Sequence, residues 1–175
     1  MTRPAEARGP RDRPATGPRP GVPGLDAARP SMPSCAAVTP APEQTPIQVV
    51  AAVVWREGRL LFTQRPPSGP HGLKWEFPGG KLEPGETPER ALAREIAEEL
   101  GVQATPLERL ASERHDYPHG VSVEIQFLRC ALGSWAFVPN HAVRAVRWWR
   151  PEEVPLEQVL EGDRGFLESL GAKRR

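Results

Sequence analysis

Cysteine is nearly absent. Cys35 and Cys130 are the only two in the chain, and they lie in stretches of different character. That excludes a disulfide framework and predicts two free thiols in a reducing compartment. No sign of charge dominates either: 23 Lys and Arg face 22 Asp and Glu, so no global field draws in nucleic acid or an anionic membrane. Long apolar runs are also missing. The longest, residues 49–55, falls far below the roughly 20 residues needed to cross a bilayer, and no apolar signal core follows Met1. These absences predict a soluble, cytoplasmic protein with no membrane partner.

Proline is plentiful but unevenly spread. Residues 1–44 hold ten of the 22 prolines and mix Arg, Pro, Ala and Gly without helical or strand period. They are expected to be a disordered extension, because such composition cannot bury enough apolar surface to offset chain entropy. Proline every few residues forbids the amphipathic helix of an organelle transit peptide. The remainder, residues 45–175, suits one domain with one core.

From Ile47 the chain reads Ile-Gln-Val-Val-Ala-Ala-Val-Val-Trp, then Arg56-Glu57-Gly58, then Arg59 to Arg65. Two β-rich runs around a Gly-containing turn predict a hairpin. A Pro/Gly loop follows, then the short extended piece Lys74-Trp75-Glu76-Phe77, ending at Pro78-Gly79-Gly80. A helix is expected next: Thr87 can cap it, Pro88 suits its first position, and Gly101 can close it. Further strands are expected over residues 107–113, 121–130 and 145–150, with a final helix over 156–170. Strands with segregated helices give an α+β class.

At roughly 100° per residue, Leu92, Ala93, Ile96, Ala97 and Leu100 share one face of the central helix, while Glu95, Glu98 and Glu99 crowd the other. Like charges spaced i, i+3 and i+4 repel. Either a divalent cation relieves them, or Arg90 and Arg94 neutralise an ordinary solvated acidic face.

The segment from Gly80 to Val102 resembles the Nudix box. That pattern is Gly, five residues, Glu, seven residues, Arg-Glu, an aliphatic residue, any residue, Glu-Glu, any residue, Gly and an aliphatic residue. Gly80, Glu86, Arg94, Glu95, Ile96, Glu98, Glu99, Gly101 and Val102 match every specified position. With ordinary residue usage, chance would produce this on the order of once in 10^10 starting points. Similarity extends upstream through Gln64-Arg65-Pro66 and Trp75 to Gly80, and its wording is similar to the mutator-protein (MutT) branch.

The resemblance implies a Nudix-type α/β/α sandwich with a mixed sheet, and magnesium-dependent hydrolysis of a normal or oxidised nucleoside triphosphate to monophosphate and pyrophosphate. Magnesium, with manganese as a substitute, would take Glu95, Glu98, Glu99 and the Gly80 carbonyl as oxygen ligands. Glu86 would support the loop, and Arg94 would orient a helix carboxylate by charge-assisted hydrogen bonds. Arg65 and Lys81 either hold phosphates or are solvated charges. Asp163 either reads the base edge or caps the last helix.

One departure stands out. Relatives that cleave triphosphates carry a further Glu on a loop before a Trp-containing strand, whereas residues 139–149 here contain no acid. Alignment on His141 puts Asn140 at that Glu, and alignment on Trp148 puts Ala142 there. Glu98 then serves as base, or Glu124 reaches in from a neighbouring strand, or turnover is slow. His115, His119 and His141 read as loop residues rather than ligands. The expected partner is a small nucleotide, in a monomer or homodimer. Hydrolysis of another nucleoside diphosphate derivative and a weakly active nucleotide-binding module are the other readings, and an Arg-rich nucleic-acid tail is disfavoured.

Overall fold

A computed structural model describes residues 45–172. The expected disordered extension over residues 1–44, and Cys35 with it, lies outside the described residues. Cys130 is a free thiol, and burial pushes its pKa up to about 11.

Strand β1 (Ile47–Val53) is followed by β2 (Trp55–Arg56), β3 (Arg59–Gln64), β4 (Trp75–Glu76) and β5 (Gly79–Lys81), then helix α1 (Pro88–Leu100). Strands β6 (Ala104–Asp116), β7 (Ser122–Leu132) and β8 (Ala145–Trp149) come next, then two short 3-10 turns and helix α2 (Glu161–Ala172). Two four-stranded sheets result. The first runs β5-β1-β7-β6, with β1 parallel to β7 and the other pairs antiparallel. In the second, β3 pairs antiparallel with β2, β4 and β8.

The expected hairpin is corrected here. The apolar run from Ile47 breaks at Val54: β1 joins the first sheet, and only Trp55 and Arg56 fold back on β3. The turn is made by Glu57 and Gly58 at φ 51° and 76°, the left-handed pair that tight hairpins require. β5 was not foreseen, because Gly-Gly has little strand propensity; pairing with β1 overrides it. The final helix starts at Glu161 rather than near residue 156, where a 3-10 turn (Leu156–Gln158) stands.

Successive β1 residues serve opposite cores, as strand alternation dictates. Val50 and Ala52 pack with Ala91, Leu92, Ile96 and Leu100 of α1, while Ala51 and Val53 pack with Phe62, Phe77, Phe127 and Phe166. The sheets thus lie between α1 and α2 in an α/β/α sandwich of α+β class. Ala91, and not the expected Ala97, completes the buried face of α1; Ala97 is exposed. The helix ends fall where local chemistry puts them. The Thr87 hydroxyl accepts from the Arg90 N–H at 3.4 Å, and Gly101 turns out at φ 67°.

Candidate active site

The loop from Lys81 to Thr87 is tied to α1 by one side chain. Arg94 donates to both carboxylate oxygens of Glu86 (3.1 and 2.9 Å), to Glu95 (2.9 Å) and to the Lys81 carbonyl (3.0 Å), and lies 3.5 Å from Glu98. Glu86 also accepts from the Glu83 N–H, and its carboxyl is held below the usual range, first by Arg94 and then by that backbone bond.

The α1 carboxylates differ sharply in environment. Glu98 is 57% exposed, whereas Glu95 is 16% exposed and lies against Gly80, where a Cβ would come within 2.4 Å of the carboxylate. Glu99 accepts from the Gly79 N–H at 3.2 Å. Its pKa is pushed up to about 8 by burial, then by Glu76 and Glu95. Among the described residues no three acidic, His or Cys side chains already stand together as a metal cluster; Arg94 holds Glu95 and faces Glu98. The donor set itself is all oxygen and short of positive charge at Glu99, which fits a hard divalent cation.

Next to this end opens a cleft of about 360 Å³ between β1, β7 and the start of α2. Arg65, Glu76, Gly79, Gly80 and Lys81 line one part; His71, Tyr117 and His119 line another; Asp163 also lines it. Arg65 donates through one guanidinium nitrogen to both oxygens of Glu76, at 3.0 and 3.1 Å. Lys81 is exposed.

Asp163 is not the helix cap. It stands in the first turn of α2, only 4% exposed, and its Oδ2 accepts from the Phe77 N–H at 2.9 Å. The Leu160 N–H donates to the Trp75 carbonyl, so α2 begins fastened to β4 and Asp163 is aimed at Phe77. Burial pushes the Asp163 carboxyl up to about 8 against that hydrogen bond.

Glu124 and Asn140 are both occupied by other partners. Glu124 is occupied by Gln48 (3.0 Å) and Ser112 (3.1 Å), on the face of the sheet opposite Val123 and Ile125 of the cleft. Asn140 turns its Oδ1 onto the Ala142 N–H at 2.8 Å, while its own N–H donates to the Glu99 carbonyl at 3.0 Å. His141 is exposed, and His115 lies within β6 rather than in a loop. Sequence reasoning missed Glu76, His71 and Tyr117. The available signal for Glu76 was an acid flanked by Trp75 and Phe77 in a short extended piece. Burial pushes its carboxyl up, and Arg65 pulls it back.

A family model described as NUDIX domain matches residues 45–170. The chain is 38% identical over 135 residues to a CTP pyrophosphohydrolase of Escherichia coli K12, covering 73% of this chain and 93% of that protein. It is 37% identical over 94 residues to an 8-oxo-dGTP diphosphatase of Haemophilus influenzae, covering 53% and 67%. The solution structure of the E. coli ORF135 protein superposes with a TM-score of 0.66 at 33% identity, over 78% of this chain and 96% of that one. No helix among the described residues is long and apolar enough to cross a membrane.

Proposed function

Since the chain belongs to the Nudix domain family and is a pyrophosphohydrolase, we propose that it hydrolyses a nucleoside triphosphate to the monophosphate and pyrophosphate with a divalent cation, magnesium in the first instance. The observation that carries this reading is the continuity of one cleft, which runs from Gly79, Gly80 and Lys81 beside the α1 carboxylates to the buried carboxyl of Asp163. Phosphates fit the first part, and a base edge fits the second. The names of the similar proteins, which refer to CTP and to 8-oxo-dGTP, support a triphosphate substrate.

Glu95, Glu98, Glu99 and the Gly80 carbonyl would hold the cation. A cation held there would supply charge neutralisation at phosphate oxygens and a more acidic bound water. Arg94 positions Glu95 while locking Glu86 and the loop, so its loss loosens the site without removing a ligand. Lys81 meets the phosphates as a mobile charge, and Arg65 reaches them from its seat on Glu76. Asp163, protonated near neutral pH, can both donate to and accept from a base. A panel of normal and oxidised triphosphates with chromatographic identification of products tests the reading. Release of monophosphate and pyrophosphate in equal amounts is expected; diphosphate and phosphate as products, or cleavage of nucleoside diphosphate derivatives alone, would overturn it.

A further inference from the structure

The far part of the cleft is built from rings. Tyr117, the chain's single tyrosine, stands 4.5 Å from His115 in an edge-to-face arrangement, 5.0 Å from His71 and 5.4 Å from His119, measured between ring centroids. These rings come from two separate segments, the loop between β3 and β4 and the β6–β7 hairpin, and none belongs to the box segment.

Tyr117 is fixed through its backbone. Its N–H donates to the Val121 carbonyl at 2.8 Å, and its own carbonyl accepts from Gly120 at 2.9 Å, with Gly120 at φ 86° closing the hairpin tip. Its hydroxyl stands against Gly162, one residue before Asp163. A Cβ at Gly162 would lie 2.6 Å from Ile125 Cδ1, which would have to move, and 3.5 Å from the Tyr117 hydroxyl, an ordinary contact. Burial and then the neighbouring Asp163, Glu161 and Glu76 carboxylates push the phenol up to about 12, so it stays neutral.

His71 is held by a different device. It sits at φ 62°, and its Nδ1 lies 3.5 Å from Glu161, which Lys74 also approaches at 3.5 Å while donating to the Glu157 carbonyl at 2.7 Å. The β3–β4 loop is thereby fastened to the start of α2, and His71 is delivered to the cleft.

We propose that Tyr117, flanked by His71 and His119, is the stacking wall for the substrate's base and so a residue that sets nucleotide affinity. The inference rests on the nucleotide reading above. A planar heterocycle that reaches Asp163 lies beside Tyr117, which lines the same cleft and whose hydroxyl stands against the residue before Asp163. Stacking on an aromatic face tolerates any base, so affinity comes from the ring and discrimination between bases from Asp163 and Glu76. The surface is partly exposed: Tyr117 is half-buried, and His119 is open to solvent.

The test is calorimetric binding of AMP, GMP, CMP and UMP against ribose 5-phosphate, using the full chain. At least one nucleotide should bind the parent tenfold or more tighter than ribose 5-phosphate. Tyr117→Leu should remove tenfold or more of that affinity and leave ribose 5-phosphate unchanged, with Tyr117→Phe close to the parent. On the parent itself, base protons of the bound nucleotide should move upfield in NMR, a readout that needs no variant to fold. Equal binding of nucleotides by parent and a folded Tyr117→Leu, absence of the upfield shift, or nucleotides binding no better than ribose 5-phosphate would each overturn the proposal. Cleavage products are scored separately. An enzyme that stacks bases on Tyr117 but releases no pyrophosphate overturns the triphosphate reading alone.

Discussion

Glu99 and Asp163 are both carboxyls that the fold prefers to keep protonated, each with its pKa pushed up to about 8 by burial above all. Unfolded, they ionise near pH 4. Between about pH 4 and 8 the folded chain therefore binds protons that the unfolded chain has lost, so stability in chelated buffer falls as pH rises through that window and levels above it. Asp163→Asn keeps an oxygen for the Phe77 N–H and has no proton to lose. Its melting temperature should drop less than the parent's between pH 5 and 8 in EDTA, by calorimetry; an identical drop would show that Asp163 is ionised throughout. Glu99→Gln should cost at least about 10²-fold in turnover, because it removes an anionic oxygen from the proposed cation site. A variant that is folded by circular dichroism and cleaves triphosphates at the parent rate would rule that assignment out.

The elements show why some of this was readable and some was not. Helix α1 announced itself through Thr87, Pro88 and Gly101, which act within one turn, and the box residues lie in a single contiguous segment. The break at Val54 was invisible, because a run buried on both faces has no alternation to interrupt. His71, Tyr117 and Asp163 are far apart in the chain, and only the tertiary fold gathers them. The loop before β8 belongs with these, since it is fastened to the end of α1 through the Asn140 N–H and the Glu99 carbonyl. Placing an acid there should matter. Asn140→Glu is expected to raise turnover and to extend the active range to lower pH, because general-base assistance is typically worth about 10²-fold or more. Ala142→Glu covers the other alignment. If neither gains, in variants that bind nucleotide normally, another group already serves as base, and Glu98 is the next to replace.

At the scale of the whole molecule, both cores, among the described residues, are built from positions between Val49 and Leu170. Because residues 1–44 lack the apolar content to pack, a protein beginning at Thr45 should keep the parent's melting temperature and turnover; a drop of many degrees in a thermal scan would place the boundary elsewhere. Within that unit, the parallel pairing of β1 with β7 sets Ile47 beside Val123 and Val53 beside Arg129. A ribosome working at roughly 5–20 residues per second makes β7 about 4 to 15 seconds after β1. For that interval Val-Val-Ala-Ala-Val-Val-Trp is uncharged, rich in β-branched residues and without its central partner, with only Arg56 and Glu57 following as gatekeepers. Aggregation is therefore expected to grow with the time the nascent chain waits for β7, the interval in which its first strand lacks a partner.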